Sequence, residues 1–103
     1  MKPVVIVARA TAKPGKEEDL NHQLLELVKA THLEEGVLVY DLHRSTDNPA
    51  QFLMYEQYAS QQAFEAHIAG QPLQHFLTLV PELVDGEVEI RQFALVSDPW
   101  LRP

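Results

Sequence analysis

The chain has 103 residues and no cysteine, and 15 acidic against 8 basic residues give it a formal net charge of −7 at pH 7. This length fits one domain, and the lack of cysteine excludes a disulfide framework and a thiolate metal site. Because the basic residues are few and scattered, nucleic acid and anionic membranes are poor partners, and the short apolar run after Met1 predicts neither a signal peptide nor a membrane span. We expect a single cytoplasmic domain over residues 1–103, with a core at 4–96 and a C-terminal tail at 97–103.

The first half of the chain is predicted to form a strand, a helix and a hairpin. Val4 to Thr11 is rich in β-branched residues, and the breaker KPGK at 13–16 precedes three acidic residues that favour the first turn of a helix. That helix has one apolar stripe, formed by Leu20, Leu24, Leu27 and Val28. After Gly36, the strands Val37 to Arg44 and Gln51 to Tyr58 are joined by the turn cluster STDNP, which predicts a hairpin.

The second half is predicted to add a helix and a last strand. Ser60 is a candidate N-cap, and the inner face of the helix that follows carries Ala63, Phe64, His67 and Ile68. Gly70 and Pro72 interrupt this helix before an apolar pattern continues it, and the last strand is predicted at Glu87 to Val96. This order of elements, βαββαβ, is that of a ferredoxin-like α+β domain with a four-stranded antiparallel sheet and both helices on one face.

Alternation along the strands predicts which side chains share a face of the sheet. If His43 lies opposite Phe52, one face of the hairpin carries Val37, Val39, Asp41, His43, Phe52, Met54, Glu56 and Tyr58. The other face then carries Leu38, Tyr40, Leu42, Leu53 and Tyr55, together with Val5 and Val7 of the first strand. Two helices cover only one of these faces.

The second apolar face is larger than a monomer normally exposes, so we expect a homodimer. Two sheets packed face to face about a two-fold axis would close an α+β barrel. The tail, which contains Trp100 and Leu101, is expected either to reach across onto the partner or to be a partly ordered terminus.

Ionisable groups among apolar residues predict a pocket on the first face, because such groups are usually paired with one another or with a ligand. His67 is expected to point from its helix at Glu56 and His43. We expect His67 or His43 to act as a base and Glu56 to orient an imidazole and stabilise its charged form. The expected substrate-binding residues are Asp41, Met54, Tyr58, Phe64 and Phe76.

The same residues have structural explanations. His67 and Glu56 would also make a satisfied polar pair in a core, and Glu56 would also pair with Arg9 or Arg44. His43 lies at a strand end, where a histidine is commonly at the rim of a site. The five histidines show neither HxH nor HExxH spacing, so no metal site is predicted.

Several segments occur together in one order and spacing: the turn KPGKEE at 13–18, EGVLVYDLHR at 35–44, FLMYE at 52–56, and the residues Ala63, His67 and Phe76. Together they resemble the antibiotic biosynthesis monooxygenase (ABM) family. Their order and spacing carry the resemblance, which extends over residues 4–96. It implies a dimeric ferredoxin-like protein of a family whose best-known members oxygenate phenols or hydroquinones without metal or flavin.

The functional hypothesis is therefore a cofactor-independent monooxygenase that acts with O2 on a quinol or polyphenol. An isomerase or other proton-transfer enzyme on a small dicarbonyl or phosphorylated sugar would use the same histidine and glutamate. The scarcity of basic residues on the pocket face counts against a phosphate. A third hypothesis is a dimer that binds a small apolar ligand without converting it.

Overall fold

The computed structural model describes residues 3–100, which contain seven helices and strands. In chain order they are β1 (Val4–Thr11), α1 (Glu17–Thr31), β2 (Val37–Arg44), β3 (Gln51–Tyr58), α2 (Gln61–Ala69), α3 (Gln71–Leu83) and β4 (Glu89–Phe93). The predicted bounds of the first three strands are confirmed. The predicted ferredoxin-like α+β order is also confirmed, with the second helix divided into α2 and α3.

The four strands form one antiparallel sheet in the order β2-β3-β1-β4. The last strand is shorter than the predicted Glu87 to Val96, because β4 pairs with β1 only from Glu89 opposite Arg9 to Phe93 opposite Val5. The partner strand β1 itself begins one residue before Val5, so it offers little backbone for further pairing.

The local signals for the helices act as expected. The Ser60 hydroxyl oxygen accepts a hydrogen bond from the backbone N–H of Ala63 at 3.1 Å and so caps α2. Gly70 ends α2 in an extended conformation, and Pro72 lies in the first turn of α3, where its missing N–H costs nothing. Among residues 3–100, no helix is both long and apolar enough to cross a lipid bilayer.

The register of the hairpin differs from the predicted one by one residue. Arg44, and not His43, lies opposite Phe52, and the ladder is irregular between Val37 and Val39. A bulge of this kind adds one residue to a strand and so reverses the facing of every side chain beyond it. The prediction that Asp41 and His43 share a face with Glu56 is therefore wrong.

The helix-covered face of β2 instead carries Tyr40 and Leu42, which had been predicted on the other face. Tyr40 is 3% exposed and pairs with Glu56 across the strands, whereas Asp41 and His43 are exposed on the opposite side. The even positions of β3 are buried beneath the helices as predicted: Phe52, Met54, Glu56 and Tyr58.

The face of the sheet away from the helices is only partly covered in a single chain. Val5, Val7, Leu53 and Tyr55 lie on it as predicted and are half-buried among their strand neighbours. Phe93 adds to this face and is 51% exposed. In the tail, Trp100 is 81% exposed, and Leu101 lies outside the described residues.

Candidate active site

His67 is held beneath the sheet by Glu34, a residue that no sequence pattern indicated. Nδ1 of His67 lies 2.8 Å from Oε1 of Glu34, and the histidine side chain is 2% exposed. An ionised carboxylate only accepts hydrogen bonds, so in a hydrogen bond with charged Glu34 the imidazole is the donor, through Nδ1–H. The prediction that Glu56 is the partner of His67 is wrong.

The connector between α1 and β2 brings Glu34 to this position. Gly36 has φ +84°, and a Cβ atom at this residue would lie 2.6 Å from Cβ of Ala63, so the connector runs directly against α2. Ala63 and His67 are one helical turn apart and therefore share a face. Two hydrogen bonds hold the ends of the connector. His32 Nε2 bonds to the Tyr40 carbonyl at 2.9 Å, and the N–H of Ala59 donates to the Gly36 carbonyl at 2.8 Å.

Glu56 has a different partner on its own strand. The Tyr58 hydroxyl donates to Oε1 of Glu56 at 2.6 Å, and Glu56 is 4% exposed. Burial raises the pKa of Glu56 to about 7, and the hydrogen bond from Tyr58 lowers it in part. Burial and the neighbouring Glu56 raise the pKa of Tyr58 far above its usual value, so the phenol stays protonated.

The ring of His67 lies between two tyrosines. Its centroid is 5.2 Å from that of Tyr40, in an edge-to-face arrangement, and 5.5 Å from that of Tyr58. Burial, followed by the charge of Glu56, raises the pKa of Tyr40 well above its usual value. Both tyrosines are therefore neutral hydrogen-bonding groups beside the imidazole.

A small apolar cavity lies between the sheet and the helices. Its volume is about 50 Å³, and its lining includes Tyr40, Phe52, Met54, Phe76, Leu77 and Ile90. Met54 and Phe76 are both part of this lining, and their role in binding substrate stays a prediction. The ring of Tyr40 both lines this cavity and contacts His67, so it separates the apolar space from the imidazole.

The cavity is smaller than an aromatic ring. A cavity of roughly 150 Å³ binds benzene in another protein, so a phenol can enter here only if lining side chains move. Leu77 and Ile90 are 37% and 48% exposed and therefore mark the side of the cavity that opens to solvent.

Four other predicted site residues lie away from the cavity lining. Tyr58 and Phe64 pack ring against ring at 5.2 Å in a second apolar cluster behind His67. Asp41 and His43 lie on the opposite face of the sheet, where Nδ1 of His43 is 3.2 Å from the backbone carbonyl oxygen of Asp41. His43 is therefore not placed to act on a substrate beside His67.

Glu34 and Tyr40 are part of this site although no sequence pattern predicted them there. Tyr40 would have been found with the correct register, since it occupies the position predicted for its neighbour Asp41. For Glu34 no periodic signal exists, because it lies in the irregular connector. Within residues 3–100, no group of three or more His, Asp or Glu side chains is arranged to hold a metal ion.

The fold and this site define an α+β protein with a buried imidazole, paired with a half-buried carboxylate, beside a small apolar cavity. A family model described as "Antibiotic biosynthesis monooxygenase" matches residues 3–87, and the chain belongs to this family. It is 26% identical over 87 residues to "Putative monooxygenase YcnE" of Bacillus subtilis (strain 168), a match that covers 84% of this chain and 92% of that protein.

Solved structures have the same fold. The chain is similar to PA3566 from Pseudomonas aeruginosa, with a TM-score of 0.88 and 31% identity over 94% of this chain and 97% of that one. It is also similar to SO0527 from Shewanella oneidensis, with a TM-score of 0.82 and 33% identity over 92% of this chain and 94% of that one. The family and the name of the Bacillus relative support a monooxygenase-like role.

Proposed function

We propose that this protein is a monooxygenase that uses O2 to hydroxylate a quinol or polyphenol, with His67 as the base and without metal or flavin. The observation that carries the proposal is the pair of buried His67 and half-buried Glu34, 2.8 Å apart and separated from an apolar cavity by the ring of Tyr40. Family membership supports the oxygenase class. The substrate class is the one that the family resemblance implies, and its chemistry is compatible with such a base.

A quinol suits this site because it supplies its own reducing electrons. Phenols titrate near pH 10, and a histidine near neutral pH is an effective base for removing their proton. The phenolate then gives one electron to O2, and the two radicals combine to form a ring hydroperoxide. Loss of water from this intermediate leaves a hydroxyquinone, so that one oxygen atom enters the ring and the other leaves as water.

Each polar residue has a defined task in this proposal. Glu34 orients the imidazole of His67 and stabilises the imidazolium that forms when the proton is taken. The ring of Tyr40 lies between His67 and the cavity. A change of the Tyr40 rotamer would open the space through which the substrate hydroxyl reaches His67. Tyr58 packs its ring against the imidazole, and the hydrogen bond from its hydroxyl to Glu56 holds that ring in place.

We also infer that the chain works as a homodimer formed through the face of the sheet away from the helices. Val5, Val7, Leu53 and Tyr55 form an apolar surface there, and Phe93 extends it to the edge of the sheet. Sheets that pack face to face bury such surfaces between them. A sedimentation mass of two chains at micromolar concentration is the expected result.

The test of the activity is oxygen consumption with a reduced naphthoquinol after treatment with chelator. We expect a rate above spontaneous oxidation, and one atom of label from ¹⁸O2 in the quinone product. His67→Gln should lower kcat by at least about 100-fold. His43→Gln is the matched control, and it should leave kcat unchanged, because His43 is on the opposite face.

The outcomes separate the hypotheses. Retained activity in His67→Gln would remove this histidine from the mechanism. If wild-type protein consumes no oxygen with quinols but exchanges the α-protons of a small dicarbonyl compound, the site is that of a proton-transfer enzyme. Binding of a quinol without conversion would indicate a ligand-binding protein.

A further inference from the structure

Two buried oxygen atoms near the pair of His67 and Glu34 have no hydrogen-bond partner in the described part of the chain. They are Oγ1 of Thr31 and Oε2 of Glu34. Thr31 is fully buried, and Oε2 of Glu34 is buried although the side chain as a whole is 23% exposed. Buried polar atoms are nearly always hydrogen-bonded, because an unpaired one loses its contacts with water without compensation. Both atoms therefore call for a partner.

The two residues lie together at the end of α1. Thr31 is the last residue of this helix, and the N–H of Glu34 donates to the Thr31 carbonyl at 2.9 Å. Both side chains also act on the phenol of Tyr40. Burial and the charge of Glu56 raise the pKa of Tyr40, the Thr31 hydroxyl lowers it, and the charge of Glu34 raises it further. The Thr31 hydroxyl and the Glu34 carboxylate are therefore close to one and the same group.

The chemistry of the two atoms indicates what the partner is. A carboxylate oxygen only accepts hydrogen bonds, and a hydroxyl both donates and accepts. The two atoms do not bond to each other, since each is without a partner. One carboxylate oxygen and one hydroxyl are too few ligands for a metal ion. A water molecule can donate to Oε2 of Glu34 and also bond to the Thr31 hydroxyl, as buried waters commonly do between unsatisfied groups.

We propose that one buried water molecule bridges Oγ1 of Thr31 to Oε2 of Glu34, and that Thr31 is thereby a positioning residue for the carboxylate that orients His67. Glu34 is then held at both oxygens, since Oε1 already accepts from Nδ1 of His67 at 2.8 Å. This support does not involve Tyr40, so the pair of His67 and Glu34 stays in place when the Tyr40 rotamer changes. The inference rests on the proposed function and adds Thr31 and a water molecule to its site.

The first test is the direction in which Thr31→Val changes the stability of the protein. Valine keeps the shape of threonine and removes the hydroxyl. If the bridge exists, Oε2 of Glu34 loses its support in a buried place, and the equilibrium constant for folding should fall at least about fivefold. If the Thr31 hydroxyl has no partner, the same change removes an unpaired polar group and should raise this constant. Thr78→Val, on the exposed side of α3, is the control and should stay within about twofold of wild type in urea unfolding.

The second test follows the hydrogen bond between His67 and Glu34 directly. In NMR spectra, Thr31→Val should move the resonance of the Nδ1 proton of His67, because the carboxylate that accepts this proton loses its other contact. Thr31→Ser keeps the hydroxyl and should leave the resonance near its wild-type position. In oxygen consumption with a quinol, Thr31→Val should lower kcat, by less than Glu34→Gln does, and leave KM unchanged, whereas Thr31→Ser should keep the wild-type kcat.

The outcomes that contradict the inference are distinct from those that contradict the proposed function. A folding constant that rises in Thr31→Val, or an unmoved His67 resonance, would overturn the bridge. A crystal structure of the wild type should show a water within about 3.2 Å of both oxygens, and a direct bond between Thr31 and Glu34 there would also overturn it. A wild-type protein that oxidises no quinol would overturn the proposed function, while the unfolding, NMR and crystallographic tests use no substrate and still decide the bridge.

Discussion

Nδ1 of His67 lies 2.8 Å from Oε1 of Glu34, a residue 33 positions earlier in the chain. This contact joins the irregular connector after α1 to the middle of α2, and it is possible because Gly36 lets the connector run against Ala63. The pair gives the imidazole a fixed orientation beneath the sheet. The proposed chemistry depends on this orientation.

Neutralising Glu34 should impair turnover and leave the fold intact. In Glu34→Gln we expect kcat to fall at least about tenfold with little change in KM, because an amide no longer stabilises the imidazolium formed during proton transfer. Steady-state oxygen consumption measures the effect. Glu35→Gln is the control, since this neighbouring glutamate is exposed. Equal losses in both variants would contradict a specific role for Glu34.

The free energy of unfolding should decrease as the pH rises from 4.5 to 7, because of the buried carboxyl group of Glu56. Its pKa is raised from 4.5 to about 7 in the folded state, so over this range the folded protein keeps a proton that the unfolded chain has lost. The stabilisation of the folded state by this proton is complete below pH 4.5 and lost above pH 7. It amounts to roughly 3 kcal/mol, at about 1.4 kcal/mol per pKa unit. Urea unfolding across this range measures it.

Glu56→Gln is the matched variant for this measurement. Glutamine keeps an acceptor for the Tyr58 hydroxyl but does not titrate, so the variant should match wild type near pH 4.5 and exceed it at pH 8. The exposed Glu18 and Glu89 have pKa values lowered by Arg44 and Arg91, and they are present in both proteins. If the free energies of unfolding of the two proteins change with pH in parallel, Glu56 is not the cause of the pH dependence.

A side chain at Gly36 should destabilise the fold more than one at another left-handed glycine. In Gly36→Ala the new Cβ meets Cβ of Ala63 at 2.6 Å in a backbone conformation with φ +84°, whereas Gly15 has the same φ and nothing within 4 Å. In both variants, an alanine in the left-handed conformation should lower the free energy of unfolding by about 1 kcal/mol. In Gly36→Ala, overpacking against Ala63 should lower it by roughly 1–3 kcal/mol more. Urea unfolding should therefore separate Gly36→Ala from Gly15→Ala, and equal losses would contradict the close approach.

Blocking the mouth of the cavity should weaken substrate binding without altering the chemistry. Leu77 lines the cavity and is 37% exposed, so Leu77→Trp would cover the opening. We expect KM for the quinol to rise about tenfold and the loss of kcat to be smaller, as for an interaction that acts on binding. Leu25→Trp, at a position that is 45% exposed on α1, is the control. An unchanged KM in Leu77→Trp would mean that the substrate enters by another route, and it would contradict this prediction.

Much of the fold could be predicted from local patterns. The strand bounds Val4 to Thr11 and Gln51 to Tyr58 and the cap at Ser60 follow from residue preferences that act over a few positions. The alternation along β3 correctly placed Glu56 on the face beneath the helices, because the neighbouring even positions are apolar. The buried position of His67 could also be predicted, because this residue lies on the apolar stripe of α2.

The facing of β2 could not be predicted in the same way. This strand is apolar on both faces, so its pattern is compatible with either facing, and the irregularity between Val37 and Val39 decides that Tyr40 and not Asp41 turns inward. The partner of His67 could not be predicted either. It depends on how the connector that carries Glu34 packs against α2, whose His67 is 33 positions further along the chain.

The order of the strands and helices and the buried side of β3 were predictable from residue patterns, since short-range periodicity and turn chemistry are properties of neighbouring residues. The buried side of β2 and the carboxylate that bonds to His67 depend instead on contacts between distant parts of the chain. A one-residue bulge leaves the local pattern almost unchanged while it reverses every later side chain, and the contact of Glu34 with His67 exists only once α2 has packed against Gly36.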